Sequence, residues 1–217
     1  MKKDQIIKQV VEFVKQTCGE DRTGHDWEHT YRVWWVAKKI AKKEGADMFV
    51  VELGALLHDI ADFKFNKGDD KVSSKITKKL LNKLEVDKSI IKKVMYIVDD
   101  VSFKGAGGKN EINTIERKIV QDADRLDALG AIGIARTFTY GGYVGRKIHD
   151  PNIQPILCKT FEAYKKSDSS SINHFYEKIF LLKDRMNTKT GKEMAKKRHT
   201  FTKIYLKEFL SEWKGTK

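Results

Sequence analysis

At 217 residues the chain is long enough to bury a sizeable core, as one large domain or two small ones, and a single domain over 1–217 is expected. Its 43 Lys and Arg against 30 Asp and Glu give a formal charge of +13, which favours polyanionic partners: phosphate compounds, nucleic acid or an acidic surface. Two cysteines, Cys18 and Cys158, exclude a disulfide framework and a cysteine-based zinc site, and without a long apolar run a soluble, cytoplasmic protein with no membrane partner is expected.

Apolar residues recur at spacings of three and four along nearly the whole chain, which predicts an all-α protein. The first helix carries Ile7, Val10, Val11 and Val14 on one face, and its charges break up anything like a signal-peptide core. A second begins near Asp26, carries Val33, Val36, Ala37 and Ile40 inward, and stops at Gly45. Further helices are predicted near 47–60, 73–85, 88–101, 113–137, 155–166, 172–187 and 191–213. Asn113 with Glu116 resembles a cap, Thr190 with Glu193 fits a capping box, and the serine run 169–171 predicts a helix start. The glycine-rich stretches Lys104 to Lys109 and Tyr140 to Gly145 predict loops over a site.

Within the apolar run Val50 to Ile60 stands the pair His58-Asp59. A buried carboxylate must be paired, hydrogen-bonded or bound to a metal, so the pair is either a structural His-Asp hydrogen bond or two ligands of one ion. His29 lies four residues before Val33 and so projects from the same inward face. His25 lies one turn earlier beside Asp26, and no His is followed directly by Glu as in a metalloprotease helix, which sets peptide hydrolysis aside. The segment Val120 to Asp127 supplies Asp122, Asp124 and Asp127. Asp124 and Asp127 share a face with Val120, whereas Asp122 could pair with Arg125 on an outer edge. Asp124 is taken as the ligand, with Asp122 or Asp127 open as its helper.

A histidine in HTYRV (His29), a His-Asp pair in GALLHDIAD (His58, Asp59) and a final aspartate in VQDADRLDAL (Asp124) together resemble the HD-domain superfamily of metal-dependent phosphohydrolases. The likeness covers about 25–130, and HDWEHTYRV with DADRLDALGAIGIARTFTYGG is similar to small stand-alone bacterial members, some of them nucleotide pyrophosphohydrolases. It implies a single all-α HD-type domain with additional C-terminal helices over about 150–217. His29, His58, Asp59 and Asp124 would hold one divalent ion, manganese first, with cobalt, nickel or magnesium as alternatives.

The resemblance also makes Asp62 the general acid or base, although relatives usually carry the longer glutamate there; otherwise Asp62 caps the helix end or pairs with Lys64. Arg22 and Lys64 are the first candidates for phosphate, ahead of Lys67, Lys104, Lys109, Arg136 and Arg146. The glycines near 105–108 lack the ending of a P-loop. Tyr143, with Phe63 and Phe65, could stack on a base. His149-Asp150 reads as a turn, and His174 and His199 as structural. The expected activity is cleavage of a nucleoside or deoxynucleoside triphosphate to monophosphate and pyrophosphate. The alternatives are a nucleoside 5'-monophosphate phosphatase with the same metal site and a nucleic-acid-binding module with a structural metal. The oligomeric state is left open.

Overall fold

The computed structural model describes residues 2–18, 26–60, 72–99, 114–157 and 169–217. Among them there is no strand, in agreement with the all-α expectation, and no helix is long and apolar enough to cross a membrane. The helices divide into two compact units, one running to Asp124 and the other from Arg125 onward.

In the first unit, α1 (Lys3–Cys18) buries Ile6, Ile7, Val10 and Val14 on one side. Helix α2 (Trp27–Glu44) begins at the N-cap Asp26, whose carboxylate accepts from the His29 N–H at 2.8 Å. It ends where Gly45 turns left-handed (φ 71°) and donates its N–H to the Ala41 carbonyl, the stop expected from the sequence. Helix α3 (Met48–Leu57) is capped by Asp47 and is apolar nearly all round, as a central helix must be. It packs against α1, α2 and α5. Leu53, Leu56 and Leu57 are fully buried, each contributing roughly 1.5 to 3 kcal/mol of transfer free energy. Helix α4 (Val72–Lys83) packs on α5 (Lys88–Val98), which in turn packs on α3.

Helix α6 (Ile115–Asp127) delivers the last acidic segment. Thr114 takes the capping position, accepting from the Arg117 N–H at 3.3 Å, while Asn113 lies outside the described residues. Glu116 is used differently from the expectation: it accepts from the Asp47 N–H at 3.2 Å and so ties α6 to the start of α3. Arg117 is buried with its guanidinium carbon 4.6 Å from the centre of the Tyr96 ring, which ties α6 to α5.

The second unit corrects the expectation of one helix over 113–137. The chain leaves the helical path after Asp127, Leu129 is extended, and α7 (Gly130–Tyr143) starts anew at Gly130 with φ 75°. The Gly130 N–H donates to Thr202 Oγ1 at 3.0 Å. A helical run follows from the N-cap Ser170: an α-turn (Ser171–His174), a π-helical stretch (Phe175–Ile179), an α-turn (Phe180–Leu182) and a 3-10 turn (Lys183–Arg185). The long helix α8 (Lys189–Trp213) packs on α7. Its cap is Thr188, accepting from the Gly191 N–H at 2.9 Å, two residues ahead of the expected Thr190 and Glu193 box. Of the helix expected at 155–166, residues 155–157 are not helical and 158–166 lie outside the described residues.

Candidate metal centre

His29 sits in the first turn of α2, where Asp26 fixes the backbone and the inward stripe carries the ring to complete burial. His58 and Asp59 do not lie inside a helix as expected. Helix α3 ends at Leu57, His58 is its C-cap, and Asp59 follows in the turn. Adjacent helical residues diverge by about 100°; leaving the helix here lets both side chains serve one site.

The His58 ring is anchored by its Nδ1, 2.8 Å from the Ala55 carbonyl oxygen. A carbonyl only accepts, so Nδ1 carries the proton, satisfies an end carbonyl of α3, and leaves the lone pair of the neutral ring on Nε2. That Nε2 is buried and makes no hydrogen bond among the described residues. It faces Asp124 Oδ1 at 3.9 Å, and the same oxygen is 3.6 Å from His29 Nε2. Asp59 Oδ2 lies 4.0 Å from His29 Nε2. The donor atoms of His29, His58 and Asp59 all lie within 4.8 Å of one another.

These gaps exceed a hydrogen bond, yet they suit donors around one ion. Two atoms each about 2.1 Å from a common cation stand roughly 3 to 4.2 Å apart. A buried lone pair facing carboxylate oxygens is unfavourable until a cation lies between them. The residues therefore fit a divalent ion, and a mixed nitrogen and oxygen set suits manganese, cobalt or nickel.

Of the three acids on α6, Asp124 is the one that reaches toward both imidazoles, with its side chain about one third exposed. Asp122 is wholly buried, which corrects its expected place on an outer edge. Arg125, its expected partner there, donates to the Arg185 carbonyl. Asp127 is engaged by Arg136 Nη1 at 2.9 Å, so Arg136 serves an ion pair in the second unit. Arg146 stands 5.8 Å over the Tyr140 ring. Tyr143 is the last residue of α7 and is exposed. Asp150 accepts from Lys147 Nζ at 2.7 Å and from the Asn152 N–H at 3.0 Å, the turn expected there. Asp62, Arg22 and Lys64 lie outside the described residues, as do His25, Phe63, Phe65, Lys67, Lys104 and Lys109.

Two groups support the site, the Asp26 cap and the Ala55 carbonyl. The Asp26 cap was legible, since Asp three residues before a buried first-turn residue is a capping signal. The Ala55 carbonyl was not, because no side chain marks it.

The HD domain family model matches residues 26–129, the stretch that contains all four candidate ligands. An HD-superfamily hydrolase from Bacillus thuringiensis superimposes with a TM-score of 0.77 at 39% identity, covering 98% of this chain and 99% of that one. A Lactobacillus plantarum protein gives 0.86 at 35% identity over 99% of this chain and all of the other. Bacillus subtilis YpgQ, 34% identical over 99% of this chain and 97% of its own length, has been crystallised with ADP, and that structure gives 0.78. The chain belongs to the HD-domain superfamily. It is an HD-type metal-dependent phosphohydrolase.

Proposed function

We propose that the protein hydrolyses a nucleoside or deoxynucleoside triphosphate to its monophosphate and pyrophosphate, with manganese as its ion, and acts in the cytoplasm as one HD-type domain over 1–217. The observation that carries the metal chemistry is the His58 ring, locked through Nδ1 with its buried Nε2 turned toward Asp124. The nucleotide assignment draws on the ADP held by YpgQ. The family match crosses from the first compact unit into the second, which supports a single working domain.

In this reading His29, His58, Asp59 and Asp124 hold the ion, which when bound supplies a nucleophile at neutral pH and polarises the phosphoryl group. The chain's own groups do the rest. The Ala55 hydrogen bond keeps the His58 lone pair on Nε2 throughout. Asp62 accepts a proton as attack proceeds, and Arg22 and Lys64 hold phosphate oxygens as negative charge shifts onto the leaving group. Tyr143 stacks on the base.

The decisive experiment incubates purified protein with a nucleotide panel and each candidate ion, measuring phosphate and pyrophosphate separately. Pyrophosphate with a monophosphate product is expected; phosphate released from monophosphates alone would replace this reading with the phosphatase. His58→Ala and Asp59→Ala should abolish turnover and bound metal, and wild-type turnover by either variant would refute the metal site.

A further inference from the structure

Helix α8 buries Ala195, Thr202 and Leu206 against its own unit. About 150° round the helix, its outer face carries Lys197, Phe201, Ile204 and Glu208 in a narrow stripe. Phe201 is 49% and Ile204 63% exposed. The spacings of four, three and four are those of a seam that packs against another helix. Three residues apart on a surface helix, these two large apolar side chains are neighbours and leave an apolar patch open to a partner.

The order along the stripe says what covers it. Read inward from both ends, Lys197 mirrors Glu208 and Phe201 mirrors Ile204, about a point between Thr202 and Lys203. Turning a second α8 antiparallel about that point sets Phe201 of each copy on Ile204 of the other and Lys197 beside Glu208. Both contacts occur twice, as an isologous interface requires. An unrelated partner would have no cause to match this mirror order. Glu208 already accepts from Lys217 Nζ at 2.7 Å, so its carboxylate is within reach of a lysine outside α8. The next mirror pair, Glu193 and Glu212, is of like charge. It lies roughly 14 Å from the point along the helix, where a crossing angle near 20° has drawn the axes apart.

We propose that the outer face of α8 joins two copies of this chain as an antiparallel two-fold pair, with Phe201 and Ile204 at its centre and Lys197 and Glu208 setting its register.

Sedimentation velocity on the full chain across a concentration series tests this, with circular dichroism reporting helicity for every variant. The wild type should associate to a dimer, and Ile204→Lys should raise the dissociation constant by about 30-fold. Lys197→Glu and Glu208→Lys should each weaken association about tenfold, because each places two like-charge pairs in the seam. The double variant Lys197→Glu/Glu208→Lys should return to within about threefold of wild type, which a misfolded protein would not do. A chain that stays monomeric throughout, a dimer indifferent to Ile204→Lys, or a double variant no tighter than the singles would overturn the proposal.

Discussion

Nδ1 of His58 donates to the Ala55 carbonyl at 2.8 Å, and that bond decides what the other nitrogen of the ring can do. The residue types at the centre were legible because a His-Asp pair in an apolar run and an inward His29 are costly without a shared purpose. The tautomer was not, because it depends on a main-chain oxygen. Asp122 was misplaced for a related reason: periodicity assigns a face, but its burial depends on which elements cover that face. A different histidine yields a pH prediction. Burial, with the Lys178 and Arg146 charges nearby, holds His174 well below its ordinary pKa of 6.5. The unfolded chain therefore binds more protons below pH 6.5, and stability falls as pH drops through that value toward the lower folded pKa. Thermal unfolding followed from neutral to acidic pH should show this loss in wild type and a shallower loss in His174→Gln; parallel curves would assign the acid sensitivity elsewhere.

Most elements were legible from apolar spacing, with errors at their ends. The cap of α8 came two residues early because a threonine stands at both 188 and 190, and only the backbone decides which turns helical. The larger error joined α6 to α7, since apolar spacing carries on across the break while the chain does not. Gly130 was the missed signal, a residue able to take φ 75° at the restart. Gly133 is equally constrained: an added Cβ would lie 2.2 Å from the Ala128 carbonyl oxygen, a backbone atom that cannot rotate away. Gly133→Ala should cost roughly 2 to 3 kcal/mol in urea unfolding. Gly142→Ala, with nothing within 4 Å of the new methyl, should instead stabilise by roughly 0.5 to 1 kcal/mol. Equal effects of the two substitutions would mean that helix propensity, not the close approach, governs this segment.

Across the whole molecule, four candidate ligands from α2, the end of α3 and α6 are brought together, so an ion held by them would stabilise the packing of those elements. An ion that binds the folded chain alone adds about 2.7 kcal/mol when free metal is 100 times its Kd. Manganese should therefore raise the melting temperature, a chelator should reverse the rise, and His58→Ala should remove most of it. A rise of wild-type size in His58→Ala would place the bound ion elsewhere. The charge of +13 is consistent with a polyphosphate substrate but did not select one, because lysines spread over many helices describe solvation as readily as binding.

By itself the sequence determined the helical class, because apolar periodicity is written in residue order, and the family, through its resemblance in the His29, His58-Asp59 and Asp124 motifs. It also pointed to candidate metal ligands, because buried polar groups are costly. Only the tertiary structure decided that α3 stops before His58, that Asp124 and not Asp127 faces the imidazoles, and that α6 and α7 are separate helices. Those outcomes depend on main-chain hydrogen bonds and on packing between elements distant in sequence, and neither leaves a local pattern.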